Sequence, residues 1–299
     1  MQQSVNGILL LDKPEGFTSN AALQQVKRLF NAKKAGHTGS LDPIATGMLP
    51  ICFGEATKFS QFLLEANKSY AVSATLGIRT TTGDCEGDIM TRQTVAGINH
   101  EDIVRVMKHF LGEIQQIPPM YSAIKHQGKP LYSLARRGIE IERKPRCVTL
   151  HTLTLDAWDH DQLSFHVHCS KGTYIRTLVE DMGAQLGVGA HVSKLRRLLI
   201  TPFTNALMYT LSELEKIKDT AGYEGLLTTL LPIESALQSY PAVVLSTSSV
   251  FYLRMGQAVR APYSIDSALV RLISNEKFIG LGAMMSDGRI KPHRLIYLS

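Results

Sequence analysis

Residues 31–54 contain Gly36, Gly39, Gly47 and Gly54 together with Pro43 and Pro50, and no helical period survives them. Leu41, Ile44, Met48, Leu49 and Ile51 nevertheless make the stretch too apolar to stay in water. A long irregular segment of this kind inside a domain is expected to be ordered, packed and functional. Any fold the chain adopts must be built around it.

The flanking segments carry clearer periods. Residues 7–11 read as a short buried strand followed by the turn Asp12-Lys13-Pro14-Glu15-Gly16. Thr18 or Ser19 then caps a helix whose apolar stripe is Ala22, Val26, Leu29 and Phe30. A helix with Ala56, Phe59, Phe62 and Leu63 inward precedes an alternating strand that places Tyr70, Val72, Ala74 and Leu76 on one face. Asn99 caps a helix bearing Ile103, Val106, Met107 and Phe110. Residues 117–147 read as an excursion with the turn His126-Gln127-Gly128-Lys129 and a short helix ending at Gly138. Residues 148–158 and 163–169 read as paired strands, and Ile175, Leu178, Val179, Met182 and Leu186 form one helical stripe that puts Arg176 in the first turn. The order loosens around 221–232, which suggests a boundary. From Tyr240 onward short alternating segments and turns predict a small β-rich, barrel-like module.

Charge is concentrated more than the formal net of +6 conveys. Lys27, Arg28, Lys33 and Lys34 stand in an acid-free run between Glu15 and Asp42. Lys125, Lys129, Arg136, Arg137, Arg143, Lys144 and Arg146 face only Glu140 and Glu142. Lys194, Arg196 and Arg197 lie in a second acid-free run between Asp181 and Glu213. Clustered Lys and Arg fit a phosphate-backbone footprint, although solvated helix faces produce single patches equally well. Cys52, Cys85, Cys147 and Cys169 are widely spaced, as lone thiols of a reducing compartment are. His166-Val167-His168-Cys169 looks like a metal motif, but alternation on a strand favours ordinary packing. The apolar run 7–11 is too short for a signal segment or a membrane span, so a cytosolic protein is expected.

Several chemistries lack their motifs. There is no P-loop and no G-x-S-x-G elbow, and Gly280-Leu281-Gly282 lacks the third glycine of a dinucleotide loop. Asp84-Cys85-Glu86-Gly87-Asp88 misplaces the glycine of a calcium loop and has Val95 where its last ligand should be. What remains is Gly36-His37-Thr38-Gly39-Ser40-Leu41-Asp42-Pro43-Ile44-Ala45-Thr46-Gly47. It offers one carboxylate hemmed in by Leu41, Pro43 and Ile44, partly desolvated as a nucleophile or electrostatic stabiliser should be. By itself that pattern also describes an ordinary Asp-Pro turn.

This loop resembles the G-H-T-G-x-L-D-P-x-A-T-G signature of the TruB family of pseudouridine synthases. Gly7–Gly16 resembles that family's opening segment, Lys68-Ser69-Tyr70 its K-x-Y, and Gly77–Gly87 its acidic loop. Lys171-Gly172-Thr173-Tyr174-Ile175-Arg176 and Leu195-Arg196-Arg197 are similar to the two segments that follow, in the same order. The resemblance implies an α+β pseudouridine-synthase fold: a mixed, largely antiparallel sheet flanked by helices. It further implies a catalytic domain at 1–235, a thumb-like basic insertion at about 118–146, and a PUA-like RNA-binding domain at 240–299. The implied activity is isomerisation of uridine 55 in the tRNA T-arm to pseudouridine by base flipping, without cofactor or metal. On that resemblance Asp42 is the catalytic carboxylate, Arg176 its partner and Tyr70 the ring that stacks on the target base. His37 fills the space the base vacates, and Tyr174 and Leu195 line the uridine pocket. Lys13, Lys125, Arg136, Arg137, Arg143, Lys144, Arg196 and Arg197 are expected on the RNA backbone. No protein partner is implied, and with no coiled coil visible a monomer is expected. Two rival functions stay open: a non-catalytic RNA-binding or RNA-folding protein on this scaffold, and a glycoside or nucleoside hydrolase pairing Asp42 with Asp84, Glu86 or Asp88.

Overall fold

Strand β1 (Gly7–Lys13) is buried on both faces, which explains its near-continuous apolar run. In the computed structural model, which describes residues 2–297, it leads to helix α1 (Ser19–Leu29), capped by the Thr18 hydroxyl. Next come strands β2 (Ala35–His37) and β3 (Ala45–Phe53), both antiparallel in their pairing with each other and β3 likewise with β1. The segment expected to be one irregular loop is therefore half strand, with residues 31–34 before β2 and residues 38–44 between the strands left outside them. Pro50 hid β3 from a sequence reading, because a proline is usually confined to a sheet edge. It is tolerated here because it falls in a gap: the parallel partner on one side of β3 ends at Gly47, and β2 begins at Ile51.

The expected helix at 56–63 is a 3₁₀ turn (Gly54–Phe59) followed by the short helix α2 (Ser60–Leu64). Strand β4 (Lys68–Leu76) alternates strictly between buried and half-exposed residues, as its sequence does. The small hairpin β5 (Ile78–Thr80) and β6 (Ile89–Arg92) frames the acidic loop. Helix α3 (His100–Phe110) starts in a capping box between Asn99 and Asp102. Strand β7 (Gly112–Gln116) then opens the excursion, which holds the hairpin β8 (Lys125–His126) and β9 (Lys129–Pro130) and the helix α4 (Leu131–Ala135). Gln127 and Gly128 at its turn both have positive φ.

The chain returns along β10 (Arg146–Asp159) and β11 (Gln162–Cys169), turns through helix α5 (Ile175–Gln185), and re-enters the sheet as β12 (Ala190–Ile200). The eight-stranded sheet runs β1-β3-β12-β4-β11-β10-β7 with β2 on β3. Only the β12–β3 pairing is parallel in it. Helices α1, α3 and α5 pack their apolar stripes on the face that carries Leu9, Leu11, Tyr70, Val72, Phe165 and Val167. This is the mixed, largely antiparallel α+β fold expected.

Helix α6 (Leu211–Leu227), kinked at Gly222, was not foreseen; its outward residues are charged and its apolar stripe is narrow. The C-terminal module contains β13 (Ala242–Val244), helix α7 (Thr247–Arg254), β14 (Val259–Arg260), β15 (Leu269–Ser274), β16 (Lys277–Met284) and β17 (Arg289–Leu295). Its strands form a five-stranded sheet of order β13-β15-β16-β17-β14, an open path rather than the barrel-like closure expected. A second apolar cluster ties Leu281 and Ile296 of this module to Ile8, Leu10, Cys52, Phe59 and Leu237. Phe165, Val167 and Cys169 point into the main core, while His166 pairs with Asp156 at 2.6 Å and His168 with the Ser69 hydroxyl at 2.8 Å.

Candidate active site

The seven residues left as loop between β2 and β3 are held from every side. The buried Ser19 hydroxyl, in the first turn of α1, accepts from the Leu41 N–H at 2.7 Å and meets the Leu41 carbonyl at 3.1 Å. The Gly16 N–H donates to the Pro43 carbonyl, and the Ala45 N–H to the Asp42 carbonyl. Lys13 is fully buried and its ammonium donates to the carbonyls of Pro14, Phe17 and Pro43. Arg197, 1% exposed, donates to the Met48 and Gly39 carbonyls. Asp42 thus sits on a loop whose backbone is fixed before any substrate arrives, the condition for electrostatic preorganisation.

Its carboxylate faces Arg176 in a two-pronged pair, Nε to Oδ2 at 3.0 Å and Nη2 to Oδ1 at 3.2 Å. Arg176 Nη1 reaches the Thr82 carbonyl at 3.0 Å and Asp84 Oδ2 at 3.3 Å, and Nη2 the Tyr121 carbonyl at 2.7 Å. The four N–H groups of the two Nη atoms therefore have acceptors, and Nε lies in ion-pair contact with Asp42, as a charge only 5% exposed requires. Asp84 is itself buried and accepts from the Thr82 hydroxyl and the Glu86 N–H. Asp42 keeps 37% of its side chain open. Of the two carboxylates on Arg176, only Asp42 can meet a substrate.

Burial raises the pKa of Asp42; the Arg176 charge opposes that shift and the Asp84 charge adds to it. Lys13 is pushed down to about 8 by burial, with the Asp42 charge resisting. Tyr70 is 7% exposed, and burial raises its pKa, so its ring is a neutral phenol beside the carboxylate. Tyr174, the N-cap of α5, is also raised by burial. Leu195 on β12 lies between Ala45 of β3 and Val72 of β4 in register. His37 ends β2; burial and the Arg197 charge lower its pKa, leaving it neutral with Nδ1 buried and unpaired. Removing the Asp84 charge has a readable consequence. Asp84→Asn deletes a like charge that raises Asp42, so the acid limb of the single-turnover pH–rate profile is expected to move to lower pH. An unmoved or upward-shifted limb would show that Asp84 does not act on Asp42 through charge.

The comparisons with known proteins agree over the whole chain. Residues 27–175 match the N-terminal domain of the TruB family of pseudouridylate synthases. Residues 176–238 match the tRNA pseudouridylate synthase B C-terminal domain, and residues 241–296 the pseudouridine synthase II TruB C-terminal domain. The chain belongs to the TruB family. Proteins named tRNA pseudouridine synthase B from Coxiella burnetii and Ectopseudomonas mendocina are 55% and 54% identical to it. Each match covers 99% of this chain, and 96% and 97% of the respective relative. A chain in the structure of an H/ACA RNP bound to a substrate RNA containing 2'-deoxyuridine superimposes with a TM-score of 0.74 at 26% identity, over 98% of this chain and 85% of that one. A chain of a Cbf5-Nop10-Gar1 complex gives 0.73 at 29% identity, over 98% and 84%.

Two expected RNA-backbone contacts of this TruB-family chain need correction. Lys13 and Arg197 are buried and their donors are committed to loop and strand carbonyls, so neither can reach a phosphate. Arg196 grips Asp12 with both prongs, at 3.0 and 2.7 Å. Arg143 is half-buried and bonds to Glu140 and to the carbonyls of Ile141 and Pro118. Lys125, Arg136, Arg137 and Lys144 are exposed. A charge count cannot separate these groups, because a cation that braces a loop and one that meets solvent look alike in sequence. Conversely, Asp84 entered the sequence reading only as a rival carboxylate. The acidic loop that contains it was the available signal.

Proposed function

We propose that this protein isomerises a uridine in the T-arm of tRNA, uridine 55, to pseudouridine, with Asp42 as the catalytic carboxylate. The observation that carries the reading is Asp42 itself: a solvent-reachable carboxylate on a braced loop, paired in two-pronged fashion with a buried arginine that is also held by Asp84 and two carbonyls. The reaction breaks the N1–C1′ bond, turns the uracil and rejoins it through C5, so no atom is gained and no electron exchanged. An ionised carboxylate serves the cleavage, as nucleophile or as stabiliser of positive character on the sugar. The guanidinium of Arg176 holds Asp42 in that charged form against burial. A uridine stacked in a folded T-arm must leave the stack at a cost of a few kcal/mol. Stacking on Tyr70 offsets part of that cost, and neutral His37 occupies the vacated space. Tyr174 and Leu195 complete the pocket.

Residues 1–235 then form the catalytic domain, 118–146 its thumb, and 240–299 a PUA-like RNA-binding domain, of which the last two residues lie outside the described part. Among the described residues no helix is long and apolar enough to cross a membrane. For the hydrolase alternative, Asp84 is buried behind Arg176 and cannot serve as the second carboxylate of a pair, which leaves the exposed Glu86 and Asp88. Incubating the protein with a tRNA transcript and measuring pseudouridine and free uracil in parallel separates the readings. Pseudouridine without uracil is expected. Uracil release would favour a hydrolase, and neither product a binding protein.

The thumb supplies a test of the RNA footprint. Lys125, Arg136, Arg137 and Lys144 are exposed, and replacing all four with alanine is expected to weaken tRNA binding. The log–log salt slope should flatten by about 0.7–0.9 for each lost phosphate contact. A wild-type slope would remove the thumb from the footprint.

A further inference from the structure

Gln116, the last residue of β7, is 2% exposed and spends its side chain on one residue of another element. Its Oε1 accepts from the Tyr174 N–H at 3.0 Å and its Nε2 donates to the Tyr174 carbonyl at 3.1 Å. A buried amide is costly unless its groups are bonded, and a leucine would fill similar space without that demand. Both bonds go to the N-cap of α5, a position whose own side chain makes no capping bond. The Tyr174 carbonyl also accepts the Leu178 N–H, the first bond of the helix. Gln116 therefore caps α5 from outside and orients the peptide that aims Tyr174 and, two residues on, Arg176.

Its place in the chain adds a second consequence. Gln116 immediately precedes the thumb, and Arg146 opposite it begins the return strand, so the pair forms the thumb's neck. Five residues later the same neck touches α5 again, where the Tyr121 carbonyl accepts from Arg176. The N-terminal turn of α5 is thus fastened to the neck at two points, one through the Tyr174 main chain and one through the Arg176 guanidinium.

We propose that Gln116 is a positioning residue that couples the thumb's neck to Tyr174 and Arg176, holding both in the geometry for the chemical step. The proposal rests on the reading of Asp42, Arg176 and Tyr174 as the uridine site. Gln116→Met preserves length and removes both bonds; Gln116→Glu keeps an acceptor oxygen and loses the donor. Single-turnover pseudouridine formation at saturating enzyme is expected to slow by about 10-fold to 100-fold in Gln116→Met, the scale of a misplaced reacting group, and less in Gln116→Glu. The Kd for tRNA should stay within about two-fold of wild type, because phosphate contacts dominate affinity. Thermal unfolding and the folded fraction are measured on the same samples. If Gln116→Met folds poorly, Gln116→Asn, too short to reach both Tyr174 atoms, carries the same test. A wild-type rate in the folded variants, or a rate loss that merely tracks lost affinity or lost folded protein, would overturn the proposal. Asp42→Asn run alongside tells the two failures apart: if it is inactive while Gln116→Met is normal, only the positioning role is wrong, and if it is active the site reading itself fails.

Discussion

Asp42→Asn is expected to leave no detectable pseudouridine while tRNA affinity stays close to wild type. The substitution keeps the size and polarity of the side chain and removes its charge and most of its nucleophilicity. It also leaves the buried Arg176 facing an amide in place of the carboxylate that now takes one Nη2 proton and lies 3.0 Å from Nε. The guanidinium is not stranded, because Asp84 and the carbonyls of Thr82 and Tyr121 still hold it. The protein should therefore fold, and the loss should appear in chemistry alone. Arg176→Lys is expected to be severely impaired too, since an ammonium cannot reproduce five placed N–H donors in a plane. The lysine keeps a positive charge facing Asp42, so the loss should lie in the placement of the carboxylate rather than in its charge state. The double mutant should be no slower than Asp42→Asn, because groups that act as one unit are strongly non-additive. Single-turnover pseudouridine formation with saturating enzyme measures all three. Substantial product from Asp42→Asn would move the catalytic carboxylate elsewhere.

Gly47→Ala is expected to destabilise the protein by more than about 3 kcal/mol, at the upper end of single substitutions. Gly47 has φ +97, and a Cβ built there would lie 2.2 Å from the backbone oxygen of Arg197. That oxygen belongs to β12, the parallel neighbour of β3, so it cannot move without parting the strands that carry Leu195 and Arg197. Gly16→Ala is the matched control: φ is +80, but nothing lies within 4 Å of the added carbon. It should cost only the backbone penalty of about 1–2 kcal/mol. Denaturant unfolding of both variants measures the difference. Equal losses would show that the close approach of β3 and β12 is relieved by a small shift and that conformation alone restricts the position.

The periods of single elements were legible in the residues. Tyr70, Val72, Ala74 and Leu76 alternate in sequence and are buried alternately in β4, because a strand's side-chain direction depends only on its own count. The Asn99 cap and the stripe of α5 are local in the same sense. The candidate site residues Asp42, Tyr70 and Arg176 were legible only through a resemblance of motifs, since an Asp-Pro in a glycine-rich loop is ambiguous on physical grounds.

Strand β3 shows the first kind of fact that sequence could not decide. Whether Pro50 breaks a strand depends on which neighbour occupies the edge at that residue, and β12 and β2, on the side of β3 away from β1, happen to leave a gap there. The cations show the second. Arg136 and Arg197 are the same residue in basic runs, yet one meets solvent and the other braces Gly39 and Met48 from inside the core. Composition determined that this chain carries concentrated positive charge. Which charges face a ligand and which brace a loop is set by contacts between residues far apart in the chain, as between Lys13 and Pro43, Arg176 and Asp42, or Gln116 and Tyr174. Those distances exist only once the sheet has brought its strands together.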